Sequence, residues 1–174
     1  MILRLTALLL LTFLGFGCVA PSSSPTGPIA WGIYTDFPSQ PVISNSNERI
    51  SSGLVSIQTA SCTGTTTGES FVAARTTFPK PLAKAEQDDV AAGITKGLLR
   101  GFGGSGEVTS RRTVHVTGKQ AMRMTIDYAD SADTLGEYII VPDGNTVYTF
   151  FHSRRSGGKP SPAGEAFFRN IRRR

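Results

Sequence analysis

The chain has 174 residues, of which 39% are hydrophobic and 18% charged, with a formal net charge of +5 at pH 7. Two cysteines in this length exclude a disulfide-stapled scaffold, and the absence of repeated long apolar runs excludes a polytopic membrane protein. The apolar share is uneven: residues 1–17 (MILRLTALLLLTFLGFG) hold 12 of the apolar residues and a single charge, Arg4. The remaining domain of about 145 residues is enough to bury roughly two-thirds of its unfolded surface in one core.

The run from Leu5 to Phe16, behind Arg4, is shorter than the about 20 residues that a spanning helix needs. It has the length and flanks of a secretory signal core, so the chain is expected to be exported. Leu14-Gly15-Phe16-Gly17-Cys18 resembles the end of a bacterial lipoprotein signal, in which the cysteine becomes the lipidated first residue. The usual leucine and small residue ahead of that cysteine are here Gly15 and Phe16. Ordinary cleavage after Ala20 is the alternative, with Pro21 beyond the scissile bond hindering it. The PSSSPTGP stretch over 21–28 suits a flexible tether between lipid and domain. The expected organisation is a signal peptide over 1–17, a tether over 18–29 and one domain over 30–174. Two acyl chains on Cys18 would suffice for stable anchoring. Loss of Arg4 leaves 17 basic against 13 acidic residues, a net charge of +4.

From Trp31 to Thr35, alternation ahead of Phe37-Pro38 predicts a short first strand. Residues 42–52 are polar and carry no pattern. Strands are predicted at 54–59 and 70–74, joined through the glycine- and threonine-rich stretch 64–68. After Pro79-Lys80-Pro81, Val90, Ile94 and Leu98 recur every four residues and predict a helix over 82–99. Glu86, Asp88 and Asp89 sit early in it, and Lys96 and Arg100 late, as the helix dipole favours. Four further strands are expected over 107–117, 119–129, 134–141 and 145–152. Thr117–Gln120 and Pro142–Asn145 are turns, the second with an Asp-Gly pair suited to a tight hairpin. Ser161 caps and Pro162 opens a last helix, with Ala163, Phe167 and Ile171 along one face. Strands, a helix, an antiparallel meander and a final helix make an α+β fold.

The strand running into Phe37-Pro38, Gly118-Lys119-Gln120-Ala121-Met122-Arg123, Glu137-Tyr138-Ile139-Ile140, Thr146-Val147-Tyr148-Thr149-Phe150 and the closing Ala166-Phe167-Phe168-Arg169-Asn170-Ile171 together resemble the PsbP-like/DcrB-like family. The resemblance covers about residues 30–172 and rests on packing patterns. It implies an antiparallel sheet of about six or seven strands flanked by helices, an α-β-α sandwich. It also implies a small exported bacterial lipoprotein, and it brings no catalytic residues.

Chemistry-bearing residues are sparse. Gly101-Phe-Gly-Gly-Ser-Gly106 has the order helix, glycines, strand, whereas a phosphate-binding loop needs strand, glycines, helix, so it reads as a connector. Gly93, Gly97 and Gly101 share a helix face, a packing signal. His115 and His152 stand alone, without the clustered ligands of a metal site. Asp127, Asp130 and Asp133 lack the glycine and terminal glutamate of a calcium loop. Cys62 has no base nearby in sequence; a Cys18–Cys62 disulfide is open if Cys18 stays a thiol. Arg154, Arg155, Arg169, Arg172, Arg173 and Arg174 cluster late and could touch anionic lipid head groups or envelope polymers. No nucleophile–base pair, metal set or carboxylate pair is visible. The expectation is a membrane-anchored, non-catalytic binding or assembly module without cofactor or nucleic-acid partner. The alternative is an exported small-ligand carrier or enzyme, which a polar pocket gathering His115 or His152 with Asp or Arg would favour.

Overall fold

The computed structural model describes residues 31–63, 68–99, 106–128 and 134–173. The segments expected as signal peptide (1–17) and tether (18–29), with Cys18, and also Arg100, Gly101, Asp130, Asp133 and Arg174 lie outside the described residues. The fold is α+β. Its strands are β1 (Ile33–Tyr34), β2 (Val42–Ile50), β3 (Gly53–Thr63), β4 (Ser70–Thr77), β5 (Glu107–Val116), β6 (Lys119–Tyr128), β7 (Thr134–Asp143), β8 (Thr146–Arg155) and β9 (Arg172–Arg173). Helix α1 (Lys84–Leu99) lies between β4 and β5, and α2 (Pro162–Arg169) between β8 and β9. Seven strands form one antiparallel sheet in the order β2-β3-β4-β8-β7-β6-β5, and β1 pairs with β9 in a separate two-stranded sheet.

Strand period decides which side chains meet. Neighbouring residues on a strand point to opposite faces. Tyr138 and Ile140 of β7 accordingly join one apolar cluster, while the alternate Ile139 and Val141 join a second. The first cluster gathers Val90, Ile94 and Leu98 of α1 with Val55, Ile57, Met124, Ile126 and Phe151. The second gathers Phe167 of α2 with Trp31, Ile33, Phe71, Tyr148 and Phe150. β7 and β8 are therefore buried along most of their length, which explains their nearly unbroken apolar sequence.

The turns sit where the sequence places them, with one shift. β7 and β8 close through Gly144-Asn145, Gly144 holding φ +64°, so the two-residue loop begins one position after Asp143. A glycine at the first loop position is the type II′ choice. Between β5 and β6 both loop residues, Thr117 and Gly118, have positive φ (51° and 78°). That is the type I′ pattern, here carrying a β-branched residue in the left-handed region.

Polar groups cross the first cluster at one place. Tyr128 donates to the carbonyl of Leu98 at 2.6 Å and accepts from Tyr138 at 2.5 Å, tying the end of α1 to β6 and β7. Gly136 makes room for this pair, since a Cβ there would lie 2.9–3.0 Å from both rings. Burial pushes the Tyr128 hydroxyl up to about 12 and Tyr138 well above its ordinary range. Both folded-state values exceed the unfolded value near 10. The stability Tyr128 provides is thus complete below about pH 10 and is lost as pH rises through about 12, and Tyr138 acts in the same direction. Urea unfolding should show a fall in stability above about pH 10 that is smaller in Tyr128→Phe. A wild-type stability unchanged across that range would contradict the buried pair.

Candidate functional site

On the second-cluster face the apolar lining is interrupted by polar side chains from three adjacent strands. His152 of β8 stands opposite Glu137 of β7 and opposite Phe71 of β4 in the strand registers. Arg123 of β6 lies diagonally from Glu137, because Thr125 is the direct partner of Glu137 and Arg123 pairs with Ile139. Cross-strand neighbours on one face are within side-chain reach, so residues 14 and 15 positions apart in sequence come together. Arg123 Nη2 bonds Glu137 Oε2 at 2.9 Å, and Arg154 Nη2 approaches Glu137 Oε1 at 3.6 Å.

His152 is fully buried. Its ring stacks on Phe71 at 4.9 Å and meets Phe168 edge-on at 6.1 Å. Its Nε2 lies 3.3 Å from Glu69 Oε1 without the alignment of a hydrogen bond, and Nδ1 has no hydrogen-bond partner among the described residues. Glu69 is buried as well and receives the backbone N–H of Ser161 at 3.2 Å and the Ser161 hydroxyl. Ser161 Oγ in turn accepts from Gly164 N at 3.0 Å, the N-cap bond of α2. Glu69 thereby fastens the start of α2 to the start of β4 and faces His152 at the same time.

This order of contacts bears on chemistry. In a nucleophilic relay the histidine stands between hydroxyl and carboxylate. Here the carboxylate stands between Ser161 and His152, and the Ser161 oxygen is committed to the helix cap. Burial pushes the His152 imidazole below its ordinary range, with the charges of Glu69 and Glu137 opposing that shift and Arg154 adding to it. The neutral ring is the form the fold holds. On unfolding, His152 takes up a proton below about pH 6.5, so the stability it provides is present above that pH and lost as pH falls. Chemical denaturation at pH 7 and pH 5 should show an acid loss in wild type that shrinks in His152→Gln. Equal pH dependence in the two chains would contradict this.

Gly164 packs α2 directly against the His152 ring. A Cβ there would lie 2.5 Å from His152 Cε1 and 2.8 Å from Nε2, so only glycine fits over the ring. Gly164→Ala should lose about 1–3 kcal/mol through overpacking. The added substitution His152→Ala should recover part of it in urea unfolding; a Gly164→Ala chain as stable as wild type would contradict the packing.

Beside this ring a recess of about 350 Å³ opens between α2 and the sheet. Arg123, Glu137 and His152 line its sheet side, and Gly164, Phe168 and Arg169 its helix side. The Arg123 guanidinium lies over the Phe168 ring, 5.2 Å from its centroid. The volume falls at the lower end of the roughly 300–1,000 Å³ of small-molecule sites.

The late arginines separate into three groups. Arg169 lines the recess, paired to Glu165 at 3.3 Å, and Arg154 lies behind it, 3.6 Å from Glu137 Oε1. Arg172 and Arg173 lie on β9: Arg172 grips Asp36 at 2.6 Å and covers the Tyr34 ring, and Arg173 pairs with Asp143 at 3.1 Å. That grip holds the Asp36 carboxyl below its ordinary range. Arg155 ends β8, exposed. His115, on edge strand β5, is exposed and remote in the sheet from His152, with β6 and β7 between. Cys62, near the end of β3, is half-buried, and burial pushes its thiol up despite a bond to Ser39, which disfavours the reactive thiolate. Among the described residues no group of three His, Cys, Asp or Glu gathers as a metal site, and none of the helices is long and apolar enough to cross a membrane.

No protein-family model, curated protein or solved structure matches the chain. Its functional reading rests on the recess and on the sequence that precedes the domain.

Proposed function

We propose that the chain is an exported module, held at a membrane through lipid on Cys18, that binds a small ligand between α2 and the sheet without transforming it. The observation that carries this reading is the recess, where Arg123, Glu137 and His152 converge on a face otherwise lined by apolar side chains. Inward charged groups are costly to bury and are kept where they pair or meet a ligand. Binding is favoured over catalysis because Ser161 serves the helix cap and His152 is clamped between aromatic rings. The two apolar clusters, one with α1 and one with α2, support the α-β-α sandwich that the PsbP-like resemblance implies. The tether over 18–29 would let such a domain work at a distance from the bilayer.

Native mass spectrometry of the full chain purified from its own membrane tests this. The expected result is a diacyl mass at Cys18 that Cys18→Ser abolishes, with a dissociable small-molecule adduct that Arg169→Glu weakens. An unmodified Cys18 would overturn the anchoring; no adduct, or one indifferent to Arg169, would overturn the binding role. A second reading, assembly through protein contacts, is favoured by the open edge of β2, where Val42 and Ile43 are each about half exposed. In that case a partner strand, not the recess, would carry the interaction.

A further inference from the structure

We infer that the edge of β2 is a self-pairing surface, on which a second copy of this chain adds its own β2 antiparallel about a two-fold axis at Ser46. This rests on the second reading above, assembly through the open edge of β2, and names the partner. The seven-stranded sheet ends on β2 and β5. Alternate residues of an edge strand turn their N–H and C=O groups outwards, which templates pairing with another strand. β5 is blunted against this: its ladder with β6 carries a bulge between Val108 and Ser110, and Arg111 and Arg112 stand exposed on it. β2 has no such protection. It runs for nine residues in unbroken register with β3.

The strand's own sequence selects a second copy and the register. An axis at Ser46 sets Val42 opposite the partner's Ile50, Ile43 opposite the partner's Arg49, Ser44 opposite the partner's Glu48 and Asn45 opposite the partner's Asn47. Every residue of the strand then has a counterpart, and no like charges face each other. Moving the axis by one residue leaves two residues at one end of each strand unpaired, and an axis at Glu48 or Arg49 opposes like charges. Val42, Ile43 and Leu54 are the large apolar side chains left about half exposed among the described residues. All three fall in this contact. Val42 meets the partner's Ile50, a residue that packs against the α1 cluster. Leu54 is the β3 neighbour of Arg49, so the aliphatic stem of Arg49 lies between Leu54 and the partner's Ile43. A polar group is answered as well. Glu48 Oε2 is buried without a hydrogen-bond partner among the described residues, and the partner's Ser44 brings a hydroxyl donor opposite it.

The test is sedimentation velocity of the full-length chain in density-matched detergent micelles over a range of concentrations, with hydrogen exchange of β2 followed alongside. A reversible monomer–dimer equilibrium is expected, in which protection of β2 rises with the dimer. Ile43→Lys sets a cation opposite Arg49 twice in each dimer and should weaken dimerisation about tenfold or more. Ile43→Glu removes the same apolar surface but faces Arg49 with the opposite charge, so its dimer should stay within about threefold of wild type. Ile43 is half exposed, and an unchanged midpoint temperature checks that both variants keep the monomer fold. Arg111→Gln on β5 should change nothing. Equal weakening by lysine and glutamate, or weakening by neither, overturns the inference. So does a chain that stays monomeric at every concentration. If a co-purifying protein then protects β2, the edge reading stands with a different partner; if β2 is bare, that reading falls too.

Discussion

Replacing Phe167 by alanine is expected to destabilise the chain by about 3–5 kcal/mol, the range for truncating a fully buried aromatic ring. Phe167 is 0% exposed, and its ring meets those of Phe37, Phe71, Phe150 and Phe168 edge-on at centroid distances of 5.3–6.4 Å. Each edge-to-face pair adds to the area term, and the four surrounding rings are too rigid to collapse into the space left behind. For a domain of this size the midpoint temperature should fall by about 10–15 °C. The damage should concentrate at α2. Its backbone is tied to the first strand by the Thr35 hydroxyl, which donates to the Phe167 carbonyl, and its start is tied to β4 through Glu69. Hydrogen exchange should therefore speed up in 162–169 well before it does in α1. A midpoint shift of only one or two degrees would show that α2 is not packed as described.

The second large effect belongs to Glu137. It is buried at its carboxylate and compensates two guanidinium groups, Arg123 at 2.9 Å and Arg154 at 3.6 Å. Glu137→Ala leaves both cations facing each other beside the neutral His152 ring, and breaking a buried ion pair from one side costs about 3–5 kcal/mol. Arg123 keeps partial access to water, which places the expected loss near the lower bound, about 3 kcal/mol. Removing the cation as well, in Glu137→Ala with Arg123→Met, should recover about 1 kcal/mol or more, because the uncompensated charge is then gone. Strict additivity of the two changes in urea unfolding would contradict the coupling.

Much of the fold is legible in the sequence because its elements follow simple periods. Val90, Ile94 and Leu98 mark the buried face of α1, and Ser161-Pro162 marks the start of α2. The alternation in Lys119–Tyr128 gives the two faces of β6. β2 is not legible. Its inward positions are Ser44, Ser46, Glu48 and Ile50, opposite Thr59, Ile57, Val55 and Gly53, so only the last is apolar and the strand exists through its ladder with β3. β9 is hidden for a related reason: two arginines held by Asp36, Asp143 and the Tyr34 ring read as a charged helix end.

The recess is legible only in fragments. In sequence His152 is an isolated histidine, and Arg123 and Glu137 are parts of packing motifs. They meet through strand register alone, which no local spacing encodes. One signal does exist. In β8 the buried run Thr146–Phe151 continues into His152, and a titratable residue extending a strand buried on both faces needs either a partner or a ligand. The partner, Glu69, lies in a segment whose glycines and threonines give no reason to look there.

Hydrogen exchange of the full-length chain purified from its own membrane, before and after small molecules are stripped from it, tests the proposed binding role of the recess most directly. Removal should speed exchange in β6, β7, β8 and α2, which line the recess, and leave the open edge at β2 unchanged. Changes confined to β2 and β3, or none in α2, would contradict a binding site between α2 and the sheet.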